Sequence, residues 1–337
     1  LEDEIIMTQL LEIIANTNKT ALLVLQEFTE AQLQSWPLAA ANYKSLERVK
    51  MKQFQFDGFQ IKVQFNPERM KSSVANVDKD TIAARMCFLC NENRPPEQDA
   101  IAFRDQYLIL VNPFPIFSYH FTISSNTHVD QRFLPHVGTL LDLAATMEGF
   151  TVFYNGPECG ASAPDHLHFQ AGENGFMPIG KDLERLKLTS RPLYAGKHTQ
   201  VWAVDHYLRK MISIETNSVN EGLEVIGMYY RHFQPIQPEK VEPMMNALCS
   251  FTDGKWTIHL FPRKAHRPTQ FYATGGEQIL ISPGSVDFGG VFILPRKEDF
   301  EKITKEDIVD ILDQVTLNQD TFLYLTEKIK TDLKNWR

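Results

Sequence analysis

The sequence predicts an α+β protein of two tandem units, each an antiparallel sheet with helices packed against it. Three observations carry that prediction. At 337 residues the chain exceeds one small core, since a domain takes roughly 150 residues. Short runs with period-two alternation, bounded by turn residues, interleave with longer runs at helical spacing. One pattern also recurs: Tyr119-His120-Phe121-Thr122-Ile123 leads to His128, and Ile258-His259-Leu260-Phe261-Pro262 leads to His266. The expected division is a helical segment at 1–48, a first unit at 49–240, and a second unit with C-terminal helices at 241–337.

The elements follow in order. Ile5, Ile6, Leu10, Leu11 and Ile14, then Leu22, Leu23, Leu25 and Phe28, keep helical spacing and predict helix over 3–37. Alternation takes over in Phe54-Gln55-Phe56 and Ile61-Lys62-Val63-Gln64-Phe65, followed by a loop-rich stretch to about Lys79. Residues 106–124 read as two strands around Asn112-Pro113-Phe114-Pro115, and a helix at 130–147 and a strand at 150–154 come next. The loop from Asn155 to Pro164 leads into Asp165-His166-Leu167-His168-Phe169-Gln170, a further strand. Residues 200–214 read as strand and 220–232 as helix. A strand pair spans 245–262 with Asp253-Gly254 as its turn. Two helices close the chain, the first opening on a capping box of Thr304 and Asp307.

Composition narrows the function. Apolar residues make up 43% and charged residues 23%, ordinary for a globular protein. The most apolar runs, such as Tyr107-Leu108-Ile109-Leu110-Val111, are strand-length, so no membrane span is expected. No leader pattern stands at the N-terminus, and a cytoplasmic location is the default expectation. A net charge of −8 argues against a nucleic-acid partner, whose phosphates call for a basic surface. A small phosphorylated substrate needs only a few donors and stays allowed. Among the four cysteines, Cys87 and Cys90 form a C-x-x-C, which in an intracellular chain reads as metal or redox.

The histidine run carries the chemistry. On a strand, His166, His168 and Gln170 would share one face while Leu167, Phe169 and Ala171 face a core. Proton-handling groups in a row on an otherwise apolar strand are costly unless they serve a site. The preceding loop is rich in small residues and can bring backbone N–H groups and a hydroxyl to a phosphate. Imidazole, substantially unprotonated at neutral pH, is a good nucleophile toward phosphorus. A metal site or a satisfied surface strand is the plainer alternative.

Here the sequence resembles a known family. His166-Leu167-His168-Phe169-Gln170 is similar to the His-x-His-x-Gln signature of the galactose-1-phosphate uridylyltransferase branch of the histidine-triad (HIT-like) superfamily. That branch includes diadenosine tetraphosphate phosphorylases and GDP-hexose phosphorylases. Gly160-Ala161-Ser162-Ala163-Pro164 resembles the phosphorylases' Gly-Ala-Ser-x-Pro-His, with Asp165 as one extra residue. The resemblance implies His168 as nucleophile on an α-phosphorus and Gln170 as the holder of a non-bridging oxygen. It places Ser162, Asn155, Gly160 and Ala161 against the phosphates. Substrate would be a nucleotide sugar or dinucleotide, and the acceptor phosphate or a sugar 1-phosphate. A homodimer is compatible with it. Two rivals are a histidine-triad hydrolase, disfavoured by Gln170 where those proteins usually carry a third histidine, and a non-catalytic nucleotide-binding protein with a structural metal.

The C-x-x-C has no neighbouring Cys or His, which disfavours a compact zinc finger. A split site of Cys87, Cys90, His128 and His166 is more natural, with equal intervals from Cys90 to His128 and from His128 to His166. The uridylyltransferases that the chain resembles hold a structural zinc with ligands in this order, which implies zinc here, with iron as the alternative. They also bring an Asn-Pro segment to the nucleotide, matched by Asn66-Pro67, but lack of their preceding arginines leaves Arg69 to compensate. Arg263, with Lys264 and Arg267, is expected to contact a phosphate from a basic turn of the second unit. That unit has no His-x-His, so only the first is expected to carry an intact catalytic motif.

Overall fold

The computed structural model describes residues 9–70 and 79–336. Positions 3–8 of the expected first helix and 71–78 of the expected loop lie outside them. The N-terminal segment is three helices, Leu10–Thr17, Ala21–Ser35 and Pro37–Ser45. Asn18 ends the first in a left-handed conformation (φ 55°), and the Thr20 hydroxyl caps the second by accepting from the Leu23 N–H. Pro37 opens the third, where its missing N–H costs nothing.

The strands form two sheets. A small one joins the hairpin β1 (Lys50–Gln55) and β2 (Gln60–Phe65) to β13 (Val291–Leu294), which runs parallel to β2. The large one has ten strands: β3 (Ala100–Phe103), β4 (Tyr107–Val111), β5 (His120–Ser125), β6 (Phe150–Asn155), β7 (His168–Glu173), β8 (Arg191–Ala195), β9 (Thr199–Val204), β10 (Met211–Thr216), β11 (Met245–Thr252) and β12 (Lys255–Pro262). Their spatial order is β3-β4-β5-β7-β6-β11-β12-β10-β9-β8, antiparallel throughout. The order reads alike from either margin. Three strands, a helix (Val137–Thr146, then Val219–Phe233) and two more strands are laid down twice, meeting where Phe153 of β6 pairs with Leu248 of β11. Residues 191–216 therefore sit beside 245–262. At the margins, Gln9 bridges to Ala102 of β3, and β8 is irregular between Pro192 and Tyr194.

Alternation along these strands feeds two cores. Val152 and Tyr154 of β6 point into one, with Leu140, Ile226 and Leu325 from helices on that face. Phe153 points into the other, with Ile61, Phe292 and Leu312 from the small sheet and Lys305–Val315. Sequence-based expectations hold at several points. Asp253 (φ 52°) and Gly254 (φ 75°) make the β11–β12 turn, both in the left-handed region that such two-residue hairpins need. Thr304 and Asp307 form the capping box. Others change. The helix expected from 130 begins at Val137, since Pro135 cannot sit in a helix interior. The stretch 200–214 is a hairpin, and the helix Ile179–Thr189, β8 and β13 were not foreseen. The repeat noticed in sequence aligned β5 with β12, which are not counterparts in the sheet: β12 answers to β7.

Candidate active site

His166 lies just before β7 rather than on it, its N–H bonded to the Ala163 carbonyl in a turn. That turn lets His166 face away from the cavity that His168 lines. Its Nδ1 lies 3.3 Å from Cys87 Sγ and 3.6 Å from Cys90 Sγ, and His128 Nδ1 lies 3.1 Å from Cys90 Sγ. The four ligand atoms all fall within 4.8 Å of one another. A tetrahedral zinc with bonds of about 2.0–2.3 Å has ligand–ligand edges of about 3.6 Å, so this donor set fits the ion. The Ser125 carbonyl accepts from His166 Nε2 at 2.9 Å, which leaves Nδ1 as the ligand nitrogen. Burial opposes ionisation of Cys87, but hydrogen bonds from His166 and two backbone N–H groups bring its thiol down to about 6.

His168 begins β7 with its backbone and ring both held. Its N–H donates to Gln131 Oε1 at 2.8 Å, and Gln131 in turn donates to the carbonyls of Asn155 and His168 at 3.0 Å. His168 Nδ1 donates to the His166 carbonyl at 2.8 Å, so Nε2 keeps its lone pair. Burial pushes the imidazole down to about 4, neutral at pH 7. Gln170 is set by His120. The Ile116 N–H donates to His120 Nδ1 (3.2 Å), so His120 Nε2 carries the proton and donates to Gln170 Oε1 (3.0 Å). The Gln170 NH₂ is thereby left as the group for an anion. His120 and Gln131 were not foreseen as support, because neither need shows until the fold pairs β5 with β7.

Two cavities meet here. The larger, about 540 Å³, is bounded by His168, Gln170, Ser162 and Arg69 at one end and by Trp36, Phe88 and Phe114 among others. The N-terminal helices thus supply a wall, and Asn42 and Tyr43 bond to the Pro113 carbonyl and to the His120 backbone. The smaller, about 70 Å³, is lined by Asn155, Gly160, Ser162, Gly284 and Asp287, with Arg69 and Gln170 on the partition. Gly160 (φ 94°) is required there, because a Cβ would stand 2.8 Å from Gly284 Cα. Ala161, expected against the phosphates, is buried within the same loop and lines neither cavity. Asn155 Oδ1 accepts from Asn246 Nδ2 (2.8 Å) and the Ser285 N–H (2.7 Å).

Arg69 bonds to the Phe114 carbonyl at 2.7 Å, and burial lowers its guanidinium to about 10, still charged at neutral pH. Asn66, expected against the nucleotide, lines neither cavity: it is fully buried and donates to the Pro115 carbonyl (3.0 Å), under the loop that holds Arg69. Arg263 also departs from expectation. It is fully buried, and its NH1 and NH2 donate to Asn246 Oδ1 and to the carbonyls of Pro283, Ala265 and His266 at 2.8–3.0 Å. The segments 246 and 282–285 close over it, which a local reading of a basic turn does not reveal. Arg263 thus reaches the site only through Asn246 and Asn155. Arg263→Ala is now expected to unfold at lower denaturant, losing on the order of 3 kcal/mol or more, since it orphans buried acceptors. Unchanged urea unfolding would count against this structural role.

In fold, the chain is similar to the crystal structure of yeast Ap4A phosphorylase Apa2, with a TM-score of 0.56 and 15% identity over 83% of this chain and 96% of that one. The same enzyme in complex with Ap4A gives 0.51 and 18%, over 87% and 97%. A uridylyltransferase mutant gives 0.41 at 11% identity over 74% and 94%, too low to carry weight. No curated protein sequence matches. The fold is thus the one seen in the yeast Ap4A phosphorylase. More particularly, residues 186–335 match the family described as "GDPGP1-like, C-terminal domain", and residues 28–173 match "Domain of unknown function (DUF4922)".

Proposed function

We propose that the protein is a nucleotidyltransferase of phosphorylase type, working on a nucleoside diphosphate sugar or dinucleotide through a nucleotidyl-histidine. The observation that carries this reading is His168: a neutral, aimed imidazole whose free Nε2 lines a cavity beside the Gln170 amide and the Arg69 guanidinium. Nε2 attacks the α-phosphorus, the bond to the bridging oxygen breaks, and the phosphorylated leaving group departs. An oxygen of phosphate or of a sugar 1-phosphate then attacks the same phosphorus and frees His168. Gln170 and Arg69 stabilise the charge that spreads over the non-bridging oxygens. The base occupies the aromatic end of the larger cavity, and the Asn155–Ser162 loop holds the phosphates. Cys87, Cys90, His128 and His166 would hold a structural zinc, or iron, which supplies rigidity where β7 begins. The two halves of the sheet are tandem units of one ancestral pattern, divided near residue 190, and only the first keeps the catalytic motif. Among the described residues no helix is long and apolar enough to cross a membrane, and a cytoplasmic location completes the reading.

The test is a panel of nucleotide sugars and dinucleotides, each with and without phosphate. Phosphate-dependent release of a nucleoside diphosphate supports the phosphorylase reading, and phosphate-independent release of a nucleoside monophosphate turns it into hydrolysis. Arg69→Ala is expected to lower kcat/KM about ten- to a hundredfold, as for a charge-assisted phosphate contact of about 1.5–3 kcal/mol. Kinetics indifferent to Arg69 would leave it as a loop anchor.

A further inference from the structure

The duplicated topology places a second cleft opposite the first. A rotation about the Phe153–Leu248 pair carries β7 onto β12 and β5 onto β10. Gln170 pairs with Phe153 and Thr122; His259 pairs with Leu248 and Ser213. His259 therefore stands where Gln170 stands. Two residues back, Thr257 takes the place of His168, and Glu215, its partner on β10, takes that of Ser124. The correspondence extends across the junction. Arg263 donates to Asn246 at the first site, and Thr151 donates to Asn174 (2.7 Å) at the second.

Around these counterparts lies a cavity of about 440 Å³, within the range of small-molecule sites. Its wall carries His259, Thr257, Glu215, Ser250 and Thr252, with Thr151 and Asn174 from the first half. His259 is only 5% exposed. Its Nδ1 is engaged by Ser213 Oγ (3.1 Å), while Nε2 makes no hydrogen bond to the protein among the described residues and faces the cavity. That nitrogen is open to the cavity rather than sealed in the core, and a ligand there can reach it.

Little in the cleft is arranged to hold a phosphate. The small-residue loop of the first site is replaced by the two-residue turn Asp253-Gly254, which leaves no row of backbone donors. Lys187, whose charge is felt by His259, is held by Glu215 (3.1 Å) and Glu184 (2.6 Å), so carboxylates meet it rather than a ligand anion. The wall otherwise offers hydroxyls, the carboxylates of Glu184 and Glu215, an amide and an imidazole over an apolar floor of Leu248, Met177 and Ile179, with the exposed Lys181 at the rim. That set matches a ring with hydroxyls at its edge and C–H groups on its face. We infer that this second cleft is a non-catalytic binding site for a neutral polyol of the hexose class, held by His259, Glu215 and Thr257. The inference rests on the sheet's duplication and not on chemistry at His168.

Saturation-transfer difference NMR of the full chain with free D-glucose, D-mannose and D-galactose tests it. At least one hexose is expected to receive saturation at millimolar concentration. Its Kd should rise tenfold or more in His259→Ala and in Glu215→Gln, and stay unchanged in Gln170→Ala. Thr257→Val, a near-isosteric change at the rim, gives a second reading should His259→Ala fold poorly. No saturation of any hexose by the native chain overturns the inference. So does a signal lost in Gln170→Ala but kept in His259→Ala, which puts the sugar in the first cavity and leaves the proposed reaction untouched.

Discussion

Replacing His168 by glycine is expected to lower turnover by about 10³-fold or more on whichever natural substrate the panel identifies. The step from Nε2 to phosphorus has no stand-in: of the groups on that wall, Gln170 and Ser162 are poor nucleophiles, and Arg69 is held cationic. The same variant should fail to take up label from an α-³²P nucleotide. The native chain should give one acid-labile, base-stable adduct per molecule, since Thr257 rather than histidine stands at the corresponding place in the second half. Folding should be little affected, because the backbone N–H of residue 168 still donates to Gln131. Turnover retained by His168→Gly would sink the covalent mechanism. Two labels per chain would sink the assignment of one competent unit.

The second large effect concerns stability. Protein purified without chelators is expected to carry about one zinc or iron per chain, and stripping it should lower Tm by about 5–10 °C. The cluster ties the Cys87–Cys90 turn to His128 and to His166, whose carbonyl also orients the His168 ring. Without the ion, two cysteines and two imidazoles converge with little reason to stay. Cys90→Ser should lose both the metal and the Tm increment, with activity falling as a consequence. Elemental analysis that finds no metal in native protein would refute the site while leaving His168 chemistry standing.

Local signals in the sequence located the strand and the turns well. Alternation in Leu167-His168-Phe169-Gln170 reports a strand with one apolar face, and β7 indeed buries Phe169 in one core while Gln170 lines the cavities. The Asp253-Gly254 turn and the Thr304 capping box are equally local, each written in two to four residues. What stayed hidden depends on distant partners. β13 is four residues long and pairs with a strand more than two hundred positions earlier, so no period announces it. Arg263 looks like a solvated turn until residues 246 and 283 are seen to enclose it. Arg69, expected from the sequence beside the nucleotide, lines both cavities next to Gln170, a neighbourhood that only the fold brings about. His120 was noticed for a repeat and turned out to matter for its hydrogen bond.

The margins of the ten-stranded sheet bear on how the molecule behaves in company. An outer strand with unpaired N–H and C=O groups is a template on which another chain can continue the sheet, and soluble proteins blunt such edges. Here Gln9 bridges to β3, with the helix from Leu10 following it, and β8 is broken by Pro192 and the slip before Tyr194. Proline removes a ladder donor, and an irregular register spoils the template for a straight partner. Sheet-to-sheet growth is therefore discouraged at both ends. A homodimer built along the margins of this sheet would have to dock side chains rather than backbones, and deleting the first nine residues should cost colloidal stability before it costs the fold.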